Sequence, residues 1–267
     1  MALIDAWKSV SKPVVGMLHL PALPGSPAFG GQLEAIRGGL WHDAEALVEG
    51  GVDGLMLENF GDRPFFPRNV PPWTTAHMAA LAVETRRRFD IPLGINVLRN
   101  DGRAALAVAH AADAQFIRVN VLAGARVTDQ GVLEGVAHDL LRDRKLLGAE
   151  ETRILADVNV KHSAPLGAVK LESEVADLID RAGADGIIVS GTGTGKAADV
   201  NELERVKAVS GETPVFVGSG TSLDSVEDYL ALADGFIVGS FFKVDGKVEN
   251  PVDAARVKEF MNKVRSL

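Results

Sequence analysis

One repeat runs through the whole 267-residue chain: a short apolar run rich in β-branched residues, a loop, a helical pattern and a tight turn. The strand-like runs fall at residues 14–20, 54–59, 93–98, 116–121, 154–160, 186–190, 215–218 and 236–239. Helical periodicity fills residues 34–49, 75–89, 102–112, 172–182, 199–209 and 222–231, and 252–264 follows the last strand. Strands that alternate with helices pair in parallel through right-handed crossovers. Eight such units are most economically accommodated by closure, so the expected fold is α/β, a (β/α)8 TIM barrel. An open doubly wound sheet would need a glycine fingerprint after its first strand, and Gly16-Met17-Leu18-His19 is not G-x-G-x-x-G. The length is close to the ~250 residues of one such barrel. No low-complexity linker interrupts it, so residues 1–267 are expected to form one domain.

The connections are unequal. Turns from helix to strand are short, as at 50–53, 90–92, 183–185 and 211–214, whereas strand-to-helix loops are long, as at 21–33, 60–73, 122–131, 162–171 and 191–198. In this architecture the long loops form the active-site face. The segment 64–72, with Phe65 and Phe66, is expected to serve as a lid, an apolar patch or a subunit contact.

Composition narrows the partners. The net charge of -8 argues against nucleic acid, whose phosphate backbone needs a basic surface. There are no cysteines, which excludes disulfides and thiolate metal sites. No signal-peptide core and no run of ~20 apolar residues appears, so no integral membrane segment is expected and the location is read as cytoplasmic. A homo-oligomer is expected from the habits of such barrels.

The strongest local signal is a pair of strand ends made of small residues. Gly218, Ser219, Gly220 and Thr221 follow the seventh strand, and Gly239 and Ser240 follow the eighth. Small residues let main-chain N–H groups approach a ligand, and barrels commonly hold phosphate at this point. The first half leads quickly into a helical pattern, whose positive end favours anions. A third Gly-rich loop, with Gly191, Thr192, Gly193 and Lys196, resembles a P-loop. It fails the pattern, because Ser190 stands where glycine is required and Ala197 where Ser or Thr is. It retains N–H groups, hydroxyls and an ammonium for an anion.

Polar residues sit late in several strands. Alternation places Arg118 and Asn120 on one face of the fourth, and Asp157, Asn159 and Lys161 on one face of the fifth. The other faces must pack on helices, so the polar ones are expected to point inward. His19, Glu58 and Asn96 end the first three strands. Arg118 and Asp157 are either an internal ion pair or part of the chemistry. Lys161 is a candidate general base or imine-forming amine, and His19, His162, Glu58 and Asp157 are candidates for proton transfer. Asn96, Arg118, Asn120 and Asn159 are candidates for substrate binding. His42, His77, His110 and His138 lie in helical patterns and are expected to be exposed. No metal motif is present. Glu58, Asp157 and His19 together would suit a hard divalent cation, but no spacing demands one, and the sequence leaves the cofactor unknown.

Five stretches carry a family resemblance: GMLHLPALPGSP at 16–27, GVDGLMLENFGD at 51–62, RVNVLAG at 118–124, TDQG at 128–131 and ADVNVKH at 156–162. With these the chain resembles the BtpA family and its SgcQ-like members over nearly its full length. That resemblance implies a barrel like those that bind ribulose phosphate. The family takes its name from a photosystem I biogenesis factor. It also occurs widely outside photosynthetic organisms, and it brings no catalytic mechanism to carry over. Two expectations follow. One is an enzyme acting on a phosphorylated small molecule, such as a sugar phosphate, by acid/base isomerase, epimerase or lyase chemistry. The other is a non-catalytic factor for the biogenesis or stability of photosystem I or another membrane complex.

Overall fold

In a computed structural model of the protein, eight parallel strands close into a barrel. They are β1 (Val14–His19), β2 (Gly54–Glu58), β3 (Leu93–Asn96), β4 (Phe116–Val119), β5 (Arg153–Val158), β6 (Gly186–Val189), β7 (Val215–Val217) and β8 (Gly235–Val238). Each pairs with its neighbours in chain order, and β8 closes on β1. The structure describes residues 2–191, 193 and 195–266. Eight helices follow the strands: α1 (Leu33–Glu49), α2 (Pro72–Arg88), α3 (Gly102–Ala112), α4 (Ala137–Leu146), α5 (Leu171–Ala176), α6 (Val200–Val209), α7 (Val226–Leu230) and α8 (Ala254–Ser266).

Local chemistry explains their limits. Proline begins α2 in its first turn, where its missing N–H has no partner to lose. Asp101 caps α3 by accepting from the Ala104 N–H, and Asp113 ends it in the left-handed conformation. The last turn of the fifth helical segment widens into a π-helical turn, Asp177–Arg181.

The strands have two differently filled faces. Outward residues such as Leu55, Ile117, Ala156, Val189 and Val238 join the helices in the main core. Inward residues form a second apolar cluster of Val15, Met17, Met56, Phe116, Leu155, Ile188, Phe216 and Ile237. Trp7, from the N-terminal turn Asp5–Trp7, plugs its lower end with its ring 5.5 Å from that of Phe116. Gly94 leaves the space Phe116 fills, since a Cβ there would lie 2.1 Å from the Phe116 ring. The lower interior is thus apolar, and the polar residues come one layer higher, at the strand C-termini.

Three features differ from the sequence reading. The loops after β4 and β5 contain a small antiparallel sheet, in which Ala125–Thr128 pairs with both Gly131–Glu134 and Ser163–Pro165. These strands are too short for alternation to register, although Arg126 points in and Val127 out. Helix α4 was not singled out, because Leu140 is its only buried residue. Finally, α7 has five residues and begins at Val226, well short of the expected span.

Candidate active site at the barrel mouth

Strand register builds the site. His19 lies opposite Glu58, Glu58 opposite Asn96, and Asn96 opposite Arg118. Four polar side chains are therefore delivered in a row along the rim. Asp157 reaches the same layer from β5, paired in register with Ile188. Glu58 and Arg118 of this row, with Lys161 just beyond, line a cavity of about 350 Å³ that is also walled by Phe60, Arg99, Asn120 and His162, and His19 lines an adjoining pocket that shares Phe60 and Arg63. A larger groove of about 680 Å³ lies outside the barrel beside α4, remote from this convergence.

Arg118 and Asp157 form the internal pair foreseen as one alternative. The guanidinium donates through Nε at 2.9 Å and Nη2 at 2.7 Å, and both side chains are buried. Burial alone would weaken the proton on Arg118, but Asp157 more than offsets it and the pKa is raised. Asp157 also accepts from Asn120 Nδ2 at 2.7 Å and from Ser190 Oγ at 3.3 Å. Both carboxylate oxygens are thus engaged, which suits Asp157 to holding Arg118 rather than to abstracting a proton. The same engagement turns it away from a cation shared with Glu58 and His19. Among the described residues no group of three or more His, Asp or Glu is placed to hold a metal ion.

Glu58 Oε2 accepts from Asn96 Nδ2 at 2.6 Å, while Oε1 lies 3.7 Å from His19 Nε2. Burial, with Lys243, Lys161 and Arg118 nearby, lowers the His19 pKa well below its ordinary value, so the imidazole is neutral at physiological pH. Its Nδ1 is buried without a partner, and its ring packs on Phe60 at 4.8 Å. Lys161 is half-buried. Burial, reinforced by Arg118 and opposed by Glu58 and Asp157, brings its pKa down to about 8. About a tenth of such an amine is neutral at pH 7, enough to act as a base or nucleophile. His162 stands exposed at the rim, its pKa lowered first by burial and then by Lys161.

The low pKa makes a direct prediction. Under trace acylation at pH 7.5, Lys161 is expected to label roughly tenfold or more faster than exposed lysines with pKa near 10.4. Peptide mapping by mass spectrometry reads this, and labelling at the rate of exposed lysines would refute it.

Asn159 does not join the cluster. β5 ends at Val158, and Asn159 adopts φ 47°, which breaks the alternation that would have turned it inward. Its side chain instead accepts from Arg126 Nη2 at 2.5 Å and donates to Glu202 at 3.1 Å. Arg126, Ser163 and Glu174 complete a polar clasp that ties the small sheet to α5.

At the strand seven end, the main-chain N–H groups of Ser219, Gly220 and Thr221 donate to no acceptor among the described residues. The Thr221 hydroxyl is buried without a partner. Three successive N–H groups without an acceptor can together make a concavity that receives an anion. The expected helix terminus takes no part, since a turn separates it from the concavity and Ser225 Oγ accepts from the Ser222 N–H. A Cβ on Gly218 would stand 3.8 Å from Arg118 Nη2, so the residue just before this run borders the polar cluster. A Cβ on Gly239 would lie 2.8 Å from His19 Cε1, and Ser240 opens a short 3-10 turn.

The glycines have a second reason. Cβ atoms on Gly191 and Gly220 would each come within 2.1 Å of the Lys196 main chain. The loop after β6 therefore packs against the turn after β7, and Ser219 Oγ donates to the Lys196 carbonyl at 3.1 Å. Gly193 faces the His162 ring, at 3.5 Å from a would-be Cβ to Cε1. Thr192 lies outside the described residues.

Sequence reasoning missed Arg99, Arg63 and Phe60. Arg99 is buried in the cavity wall, and Arg63 stacks over Phe60 with its guanidinium carbon 4.7 Å from the ring centroid. All three lie just past strand ends, where strand alternation no longer says which way a side chain points. Of the four helical histidines, His42, His110 and His138 are exposed and His77 is half-buried.

Comparison with solved structures supports the architecture. The N-(5'-phosphoribosyl)anthranilate isomerase from Pyrococcus furiosus superposes with a TM-score of 0.58 at 16% identity, covering 96% of this chain and 100% of that one. Two relatives are much nearer in sequence. An uncharacterized protein of Thermococcus kodakarensis is 44% identical over 256 residues, 96% of each chain. The photosystem I biogenesis protein BtpA of Synechocystis is 44% identical over 249 residues, 93% of this chain and 86% of its own. The family profile described as "BtpA family" matches residues 10–266, and the chain belongs to that family.

Proposed function

We propose that the protein is an enzyme acting on a phosphorylated small molecule, a sugar phosphate, by proton-transfer chemistry of the isomerase, epimerase or lyase kind. The observation that carries this reading is the run of three N–H groups without an acceptor at 219–221, preceded by Gly218 next to Arg118, together with a cavity lined by Arg118 and an amine of pKa about 8. Phosphate anchored on those groups and on Ser240 directs the rest of the ligand toward Lys161, Glu58 and His19. Neutral His19 can donate to or accept from a substrate oxygen. Glu58 or Lys161 can take a proton from the adjoining carbon, and Arg118 offers positive charge to a developing oxyanion. Each candidate reaction needs acid/base groups beside an anchored carbonyl; in support, Glu58 and Lys161 line one cavity and His19 lies 3.7 Å from Glu58.

The test is thermal melting against a panel of sugar phosphates and their unphosphorylated counterparts. A ligand at a hundredfold excess over its Kd adds about 2.7 kcal/mol, which raises the melting temperature by several degrees. Stabilisation confined to phosphorylated compounds is expected, and no shift with any of them would remove the basis of the reading.

A second reading, a non-catalytic factor for a membrane complex, rests on the name of the Synechocystis relative and on one surface feature. Val127 and Val132 face each other across the small sheet and are both exposed, with Leu166 exposed nearby. That reading predicts a partner seated on this face. No helix among the described residues is long and apolar enough to cross a membrane.

A further inference from the structure

Arg99 is a buried cation without an anion. It follows β3, is 4% exposed, and walls the same cavity as Lys161 and Arg118. Its Nη2 donates to the Lys161 carbonyl at 2.5 Å. Its Nε is buried and has no partner. Arg118 makes the contrast plain: it is paired with a bidentate carboxylate, whereas no carboxylate among the described residues bonds Arg99. A desolvated, uncompensated guanidinium is unfavourable to folding unless something else recovers the loss. Burial lowers the Arg99 pKa even though Asp157, Asp129 and Glu58 oppose it from a distance.

The surrounding charge points the same way. A chain of net charge -8 gathers Arg63, Arg99 and Lys161 around one cavity, in addition to the paired Arg118. Of the acids there, Glu58 is held by Asn96, and Asp129 belongs to the turn of the small sheet. Gly218, just before the N–H run after β7, comes close to Arg118 in the cavity wall, a Cβ there standing 3.8 Å from Nη2, so a group on that run and a group at Arg99 can belong to one ligand.

We propose that Arg99 receives a second anionic group, so that the natural substrate carries a phosphate at one end and a carboxylate or another phosphate at the other. This rests on the phosphate reading above and narrows it to doubly anionic compounds. Arginine suits the task because its planar donors match oxyanions and its charge does not depend on pH.

Calorimetric titration tests this with three probes: ribose 5-phosphate, 6-phosphogluconate and ribulose 1,5-bisphosphate. The wild-type protein is expected to bind at least one of the two-anion compounds about tenfold or more tighter than ribose 5-phosphate. Which of them gains distinguishes a carboxylate from a phosphate at Arg99. In Arg99→Met that preference is expected to collapse to within about twofold, and Arg99→Lys is expected to keep part of it. Arg99→Lys retains a cation in the same place and covers the case in which Arg99→Met fails to fold. Wild-type binding of ribose 5-phosphate with no added preference overturns the second subsite and leaves the phosphate reading standing. So does a preference that survives in Arg99→Met. Absence of binding by all three overturns both.

Discussion

Asp157→Ala is expected to destabilise the barrel by about 3–5 kcal/mol, because it leaves the Arg118 guanidinium charged, buried and unpaired. The substitution also strips the acceptor from Asn120 Nδ2 and Ser190 Oγ, so the loss spreads across β4, β5 and β6. Equilibrium denaturation in urea measures it as a fall in the midpoint. The double variant Asp157→Leu with Arg118→Met should recover most of that loss, since removing both charges removes the desolvation penalty. A single variant as stable as the wild type would mean that the pair does not organise the interior. The account thereby separates two roles that the sequence left open. Asp157 holds Arg118 in place, and under the proposed function proton transfer falls to Lys161, Glu58 and His19.

Gly220→Val is expected to weaken any phosphorylated ligand by at least about a hundredfold, or about 2.7 kcal/mol. Two causes combine. Gly220 has φ 65°, a left-handed conformation that a β-branched residue adopts only with strain. Its Cβ would also fall 2.1 Å from the Lys196 main chain, so the loop after β6 must move off the turn after β7. Both displacements disturb the free N–H groups on either side. Calorimetry with whichever phosphorylated compound stabilises the wild type measures the loss, and unaltered affinity would place the phosphate elsewhere. Melting of the free variant serves as a control, because this turn lies at the mouth, away from the apolar layers that hold the barrel closed.

Much of this arrangement was legible in the sequence where a period governs it. Alternation along β4 correctly turned Arg118 inward and Ile117 outward, because one face of each strand must pack on helices. The same rule failed at Asn159, two residues after an inward Asp157, because the strand had already ended and φ had become positive. It was silent on Arg99, which lies beyond the last hydrogen-bonded residue of β3. The glycines at 218, 220 and 191 were visible as small residues. The packing of Gly191 and Gly220 against the Lys196 main chain was not, because no periodic pattern reports contacts between loops. The hairpin between Ala125 and Glu134 escaped for a related reason: four-residue strands offer too few alternations to be told from a loop. What the sequence conveys is the pattern within elements, and what it conceals is the conformation at their ends, where the candidate site of this barrel lies.

The central claim is that residues 219–221 present free N–H groups to phosphate. Amide proton–nitrogen correlation spectra recorded during titration with inorganic phosphate test it most directly. The resonances of Ser219, Gly220 and Thr221 are expected to shift progressively and saturably, and the shifts should be absent in Gly220→Val. Amides at these three positions that stay in place while phosphate reaches saturation would contradict the account.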